Sequence, residues 1–345
     1  MEEKCVNAQK NDKFVIGRVK KMEFHVVYIS DDNFASKLGT SLLSMFEHNL
    51  DLQIVVHILD MGIDALNKKR LQRLCANYSE KCIWYEAVDI KIQLEKMKLH
   101  MPVENNSIAT LGRLFLPEIL PSDIDKVLYL DCDTIIEGSL KDLAKLKLDC
   151  ALGVVKDVNY SFFKKRPELN GINDYFNAGV ILINMEQYRL TMGVQNLKEY
   201  IKKDYLFADQ DILNIIFKNN KKILSPVYNS VNRVRMVSPS CLLRWMGEDE
   251  GELYSIKELM EAHTSPIIIH YTSSVLGRPW EVNCIDPKVS TWRNVYSRSP
   301  WSEEKLTMKQ LSKSNKIGRM LYRILPERMF CAIDYAFAKK KCSNL

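Results

Sequence analysis

Val127, Leu128, Tyr129 and Leu130 run without a polar interruption into two aspartates, Asp131 and Asp133, within the stretch DKVLYLDCDT that spans residues 125–134. A continuous apolar run of this length is the pattern of a strand covered on both faces, which belongs in a sheet clothed by helices. The acidic pair then sits at the strand's C-terminal end. If the chain stays extended there, residues two apart point to the same side, so both carboxylates face one crevice while Cys132 faces the interior. Like charges placed together repel unless a positive charge lies between them. A hard divalent cation with oxygen ligands would meet that need and could in turn hold a diphosphate. Two other readings of D-x-D stay open at this point. One is a strand followed by a solvated acidic turn. The other is a phosphatase motif with nucleophile and general acid, which usually opens its core and continues D-x-D-G-T, whereas here Thr134 follows directly.

The elements before and after this strand alternate as a largely parallel sheet requires. Phe24–Ile29 reads as a strand, followed by Ser30, Asp31, Asp32 and Asn33 and a helical pattern with Phe34, Leu38, Leu42, Met45 and Phe46 on its apolar side. Leu52–Leu59 reads as a second strand, Asp64–Cys75 as a helix and Cys82–Ala87 as a short strand. A helix is expected to begin near Ser107 and run to Leu116, with Arg113 as its cation. Facing outward it would be an ordinary surface arginine; facing the crevice its planar fork suits phosphate oxygens. Later come the strand Ala151–Val155 with Asp157 beyond its end, the buried run Phe176–Asn184 with Ala178 and Gly179 near its start, and a helical pattern over Phe207–Ile216. Ligands of such sheets bind beyond the C-terminal ends of strands, which brings Asp31, Asp32 and Asn33 toward a site, although Asp and Asn there also serve as helix caps. Small residues at 178 and 179 allow close approach of a ligand or close packing. Ile267–His270 is a further strand, and His270 could give a nitrogen ligand to the same metal, with Arg278 on the loop beyond it.

Composition narrows the function. The 345 residues are 46% hydrophobic, ample for a core. The opening MEEKCVNAQKND is polar, and no apolar run approaches the length that crosses a membrane, so a cytoplasmic protein is expected. Nine scattered cysteines without a C-x-x-C pair point to reduced thiols rather than a disulfide framework or a zinc site. Neither a phosphate-binding P-loop, a dinucleotide glycine fingerprint nor a repeat is present. Between Lys305 and Lys341 stand ten Lys and Arg against Glu327 and Asp334, a local charge of +8 in a chain of net +6. The body is therefore slightly acidic and lacks the basic, aromatic face that nucleic-acid binding calls for.

Six segments, ISDDNFA, the helix with GRL, KVLYLDCDT, YFNAGVILIN, DQDILN and HYTSSVLGRPW, resemble in this order the retaining glycosyltransferases of family eight, which include bacterial lipopolysaccharide galactosyl- and glucosyltransferases, glycogenin and galactinol synthase. The resemblance covers residues 24–295 and implies a GT-A fold: an α/β, single Rossmann-like nucleotide-binding domain with a mixed, mostly parallel sheet. It implies a UDP-sugar donor with Mn²⁺, Mg²⁺ being the alternative ion, and hexose transfer to a glycan or lipid-linked acceptor. Asp131, Asp133 and His270 match the metal ligands. Asp31, Asn33 and Phe34 match the residues that read and stack on uracil. Arg113, Asp157, Asn177, Ala178, Gly179, Asp209 and Gln210 match positions around the diphosphate and sugar, with Gln210 and Asp209 beside the reacting carbon and Arg278 on the leaving diphosphate. The chain departs from the family at its last motif, with two extra residues between His270 and the cation, Arg278 for lysine, and serine where the first glycine is usual. A UDP-sugar-binding protein with little catalysis is the rival of a different class.

The domain plan that follows is a leader at residues 1–21, a catalytic domain at 22–300 and a separable basic tail at 301–345. Ile317, Met320, Leu321, Ile324 and Leu325, then Met329, Phe330, Ile333 and Phe337, are spaced for two helical faces. Basic charge beside an apolar stripe is the pattern of a helix lying on an anionic membrane, so peripheral attachment at the inner face of the cell membrane is expected.

Overall fold

The computed structural model describes residues 21–86, 111–159, 161–193, 197, 199, 200 and 205–342. The leader, the proposed start of the helix at Ser107 and the last three residues of the tail lie outside them.

Seven strands form one sheet in the order β3-β2-β1-β4-β7-β6-β8 among the described residues. They are β1 (Met22–Ser30), β2 (Leu52–Asp60), β3 (Lys81–Glu86), β4 (Lys126–Leu130), β6 (Leu152–Lys156), β7 (Phe176–Asn184) and β8 (Lys221–Ile223). All run parallel except β7, which is antiparallel to both of its neighbours, β4 and β6. A second, three-stranded sheet has the order β5-β10-β9, formed by β5 (Thr134–Ile136), β9 (Ser230–Val231) and β10 (Ile268–His270). The α/β class is therefore as the apolar runs foretell, and the mixed, mostly parallel sheet is as the resemblance implies.

Alternation along the central strands divides the core. Phe24, Val26, Tyr28, Leu128 and Leu130 enter one cluster, and Val27, Ile29, Val127 and Tyr129 enter the cluster on the sheet's other face. Cys132 belongs with Leu128 and Leu130, on the interior side expected of it. Where β4 ends the chain does not stay extended. Cys132 and Asp133 form a turn into β5, and the Thr134 hydroxyl donates to the Asp131 carbonyl at 2.9 Å, closing that turn. The turn hands the chain from the main sheet to the small one.

Strand boundaries agree with the sequence to within a few residues. Asp64 caps the helix Ala65–Asn77, its carboxylate accepting from the Asn67 N–H at 2.6 Å, and Phe176–Asn184 is a strand over its whole length. Arg113 sits not in a regular α-helix but in a 3₁₀ turn, Gly112–Phe115, that leads into the short helix Leu116–Ile119. Pro117 occupies the second position of that helix, where a missing N–H costs nothing.

Residues after 300 do not form a tail that could be detached there. The Trp301 side chain is buried against the helix Ala35–His48, and its Nε1 donates to Asn67 at 2.8 Å. The helix Glu327–Cys342 packs on the helix Pro239–Met246. There Phe330 stands edge-on to Trp245 at 5.5 Å and to Tyr322 at 5.3 Å. The two basic helices keep their charge and one apolar face outside, with Ile317, Met320, Ile324, Met329 and Phe337 exposed, while Phe330, Cys331 and Arg319 are buried. Packing on the preceding domain consumes part of the amphipathic pattern and leaves the rest to solvent.

Gly39 tests this union. A Cβ at Gly39 would stand 2.0 Å from the Trp301 ring. Alanine is favoured over glycine inside a helix by about 1 kcal/mol, yet overpacking against a buried indole costs about 1–3 kcal/mol. Gly39→Ala is expected to lower the urea unfolding midpoint; an unchanged or higher midpoint would show that Trp301 is not held there.

Candidate active site

The register of the small sheet builds the acidic centre. His270 pairs with Thr134 across β10 and β5, which sets its ring beside the turn that carries Asp131 and Asp133. Its Nε2 lies 3.0 Å from Asp133 Oδ1 and 3.7 Å from Asp131 Oδ2. One ligand atom from each of the three falls within 4.8 Å of the others, and they are the one such group of three metal-ligating side chains among the described residues. His270 Nδ1 is 2.9 Å from Asn229 Oδ1, and the Asn229 amide in turn donates from Nδ2 to Asn177 Oδ1 at 2.9 Å. Asn229 Oδ1 is thus an acceptor, the His270 proton is assigned to Nδ1, and Nε2 presents a lone pair to the carboxylates. Asp133 Oδ1 accordingly is buried without a hydrogen-bond donor. A lone pair facing carboxylate oxygens with no proton between them is a donor set fit for a divalent cation.

Gly179 on β7 makes room for this group. Its carbonyl accepts from the Asp131 N–H at 2.8 Å, and a Cβ there would come within 2.2 Å of His270 Cε1 and 2.7 Å of Asp131 Oδ2. Of the two readings of this position, close approach of the site's own side chains is the reason for glycine.

Cations and hydroxyl donors balance the acids. Arg113 is buried, with Nε 2.7 Å from Asp209 Oδ2, Nη2 3.1 Å from Asp131 Oδ1, and Nη1 donating to the Ala178 carbonyl. Its guanidinium stacks 4.4 Å from the Tyr129 ring, whose hydroxyl donates to Asp131 Oδ1 at 2.7 Å. Arg113 therefore fixes the acids from the inside, and these bonds engage each of its nitrogens. Arg278 does reach the centre despite its longer loop: Nη1 donates to Asp133 Oδ2 and to the Tyr271 carbonyl, and Nη2 to Ser273 Oγ at 3.1 Å. Burial raises the Asp133 pKa, but His270 when it carries a second proton, together with the Arg278 guanidinium, outweighs it and holds that carboxyl well below the usual range. At Asp209, burial wins over Arg113, with Asp131 adding to the rise, and pushes the carboxyl up to about 6.

Gln210 anchors a relay on the other side. Its Oε1 accepts from the Ala178 N–H at 3.0 Å and from Asn177 Nδ2 at 3.2 Å. Its Nε2 donates to Tyr175 Oη at 3.1 Å and to Asp157 Oδ2 at 3.3 Å. Asp157 is buried, which pushes its carboxyl up against the opposing charges of Lys164 and Arg233. Asp211, the second acid of the same helical start, takes a structural part, bound by both terminal nitrogens of Arg166 at 2.7 and 2.9 Å.

Another group of candidate residues lies where β1 stops. Asp31 Oδ1 accepts from the Phe34 N–H at 3.1 Å and so caps the 3₁₀ turn Asp32–Phe34. Phe34 is 37% exposed and stands edge-on to Trp280 at 6.0 Å. Asp31 and Phe34 line a cavity of about 330 Å³ together with Arg113, Asp131, Asp133 and Arg278. Asn33 is exposed next to Phe34 and is not part of that lining. Asp32 turns away: its carboxylate accepts from the Asp64 N–H and Asn67 Nδ2, both at 2.9 Å, tying two helices together. A second cavity of about 330 Å³ continues past Asp131, Asp133 and Arg278 to Asn177, Ala178, Gly179, Asp209, Gln210 and His270.

Asn229, Tyr129, Tyr175 and Arg319 went unnoticed in the sequence. Tyr129 carried a signal, since it lies two residues before Asp131 on the same side of β4. Arg319 comes from the helix Lys313–Ile324, and its Nε donates to the Val275 carbonyl at 2.7 Å and its Nη1 to the Asn283 carbonyl at 2.5 Å. It closes both ends of the loop that carries Arg278.

The family model described as Glycosyl transferase family 8 matches residues 25–284. A lipopolysaccharide 1,2-glucosyltransferase of Escherichia coli is 29% identical over an alignment 346 positions long, gaps included, that covers 95% of each chain. General stress protein A of Bacillus subtilis (strain 168) is 26% identical over 294 residues, covering 81% of this chain and 94% of that one. Among solved structures, the galactosyltransferase LgtC in complex with donor and acceptor sugar analogs superposes with a TM-score of 0.63 at 22% identity, covering 85% of this chain and 99% of that chain.

Replacing Asn229 by alanine removes the partner that fixes the His270 tautomer. Outer-shell changes of this kind typically weaken metal affinity by about 10–100-fold. Titration of Asn229→Ala with Mn²⁺, followed by electron paramagnetic resonance, is expected to show a loss in that range, and affinity equal to wild type would remove Asn229 from the centre.

Proposed function

The chain belongs to glycosyltransferase family 8 and has its GT-A fold, and from that premise we propose that it moves a hexose, glucose or galactose, from a UDP-sugar to a hydroxyl of a glycan or glycolipid, with retention at the anomeric carbon. The observation that carries this reading is the joining of Asp131, Asp133 and His270 in one donor set with its supporting amide Asn229. The activities of the relatives, lipopolysaccharide glucosyl- and galactosyltransferase, support a hexose and a role in cell-surface polysaccharide or lipopolysaccharide-type synthesis.

In this reading Asp31 accepts from the uracil N3–H, Asn33 donates to its O4 and Phe34 stacks on the ring, a match of donors to acceptors that the base edge requires. Asp131, Asp133 and His270 hold the divalent ion, and their mixed oxygen and nitrogen donors favour Mn²⁺ over Mg²⁺. That ion would supply positive charge at the departing diphosphate, where electrostatic stabilisation does most to lower the barrier of such reactions. Arg278 is the protein's own cation for the same phosphate. Arg113 keeps Asp131 and Asp209 in place, Gly179 leaves room for His270 and Asp131, and the small Ala178 lets the sugar approach the backbone of β7. Double displacement would need a nucleophile beneath the sugar. Gln210 is neutral and uses both ends of its amide in the relay, and Asp209 is bound to Arg113. Attack by the acceptor on the same face as the leaving group, with Gln210 and Asp209 positioning the sugar, fits these residues better.

We assign the enzyme to the cytoplasm, held at an anionic inner membrane face by the exposed basic and apolar side of its last two helices. No helix among the described residues is long and apolar enough to cross a membrane. Each Lys or Arg near such a surface contributes about 1 kcal/mol.

A panel of UDP-sugars assayed for UDP release with and without Mn²⁺ tests the catalytic reading. Release from a UDP-hexose should stop with EDTA and fall by orders of magnitude in Asp133→Asn. Binding of the donor without release would instead leave a UDP-sugar-binding protein. NMR of the transfer product should show the donor's anomeric configuration kept; an inverted product would overturn the mechanism. Reversing the charge of Lys313, Lys316 and Arg323 should abolish co-sedimentation with phosphatidylglycerol vesicles at low salt, and undiminished co-sedimentation would refute attachment through these helices.

A further inference from the structure

Beyond Gln210 the trough opens into a larger cavity of about 500 Å³. Asp157, Asn177 and Gln210 form its near end, and its far wall is made by Trp245 and by three residues of the helix Glu327–Cys342: Phe330, Asp334 and Ala338. Two of these are linked, since Trp245 Nε1 donates to Asp334 Oδ2 at 3.1 Å. Arg233, whose Nη1 donates to Asn159 Oδ1 at 2.8 Å, adds positive charge to the wall. Aromatic faces next to fixed polar groups are what a sugar ring needs, apolar contact on one side and directed hydrogen bonds at its rim.

The space does not end there. A groove of about 340 Å³ runs between the helices Lys313–Ile324 and Glu327–Cys342, lined by Ile317, Gly318, Leu321, Ile333 and Phe337. It shares Val275, Phe330 and Asp334 with the cavity, so the two meet at one wall. The groove is the more apolar of the two: Ile317, Leu321, Ile333 and Phe337 outweigh the polar Ser314, Asn315 and Asp334 at its edges, whereas a carboxylate and two amides form the near end of the cavity.

We propose that this cavity and the groove beside it together form the acceptor site, and that the groove receives the hydrocarbon chain of an amphiphilic acceptor, a sugar carried on a lipid. The proposal rests on the glycosyl-transfer reading and narrows it. The last two helices are then substrate-binding elements, with Phe330 and Asp334 at the junction between head and chain. Glycine at 318 keeps the helix close to the loop, since a Cβ there would meet Val275 Cγ2 at 2.7 Å.

Isothermal titration of the full-length protein with methyl and octyl β-D-glucopyranoside, the latter below its critical micelle concentration, tests the assignment. The octyl glycoside should bind at least tenfold more tightly. Ile333→Asp should erase that advantage, and so should Phe337→Ser, a change at an exposed side chain that the fold tolerates. Arg233→Ala should weaken the octyl glycoside through its sugar. Equal affinity of the two glycosides, or an octyl advantage that survives both groove variants, would overturn the proposal. So would an octyl affinity indifferent to Arg233→Ala, because the groove would then hold lipid with no sugar in the cavity. UDP release from a UDP-hexose without acceptor reports on the glycosyl-transfer reading alone, so failure of one is told from failure of the other.

Discussion

Burying two carboxylates side by side is unfavourable unless opposite charge or a metal compensates them, and the structure around Asp131 and Asp133 is arranged to meet that cost. Arg113 answers from beneath, Arg278 from the loop, and His270 with Asn229 from the second sheet. Each comes from a different part of the chain. The centre therefore depends on the turn between β4 and β5, which joins the two sheets, and on the antiparallel strand β7, whose Gly179 leaves the needed gap. Arg278 occupies Asp133 here, while in the proposed reaction it serves the leaving phosphate; the acid and the donor phosphate share one cation.

The electrostatics also separate roles among residues of like type. Asp209, Asp211 and Asp157 are all buried, yet Asp211 is neutralised by Arg166, Asp209 faces Arg113 and is raised to about 6, and Asp157 is met by an amide. Gln210 stands among them as the uncharged member. Its position follows from having acceptors on one side and donors on the other, which a carboxylate could not satisfy.

Much of this was legible along the chain. Apolar runs marked β1, β2, β4, β6 and β7 because buried parallel-type strands leave little else in the sequence, and the place of Asp131, Asp133 and His270 at strand ends followed from them. The short strands β5, β8 and β9 were not found, since two or three residues carry no period. For Arg113 the sequence leaves a surface arginine and a phosphate partner both open, and its bonds to Asp131, Asp209 and Ala178 come from a 3₁₀ turn that no pattern announces. Asp32 looked like part of the site and proved to be a link between helices, because capping and binding use the same residue types. The last two helices looked like a detachable surface device. Their hydrophobic spacing was right, but spacing alone does not say whether an apolar face meets lipid, protein or both.

Arg319 shows what the protein-facing side of these helices does. The family model ends at residue 284, and Arg319 reaches back to the carbonyl of Asn283, just inside that limit, and to Val275 on the other side of Arg278. The loop is thus buckled by a helix that lies beyond the residues matched by the family model. Loop and helix are mechanically coupled: take away the helix, or the Arg319 guanidinium alone, and both ends of the loop are released, leaving Arg278 to find Asp133 unaided.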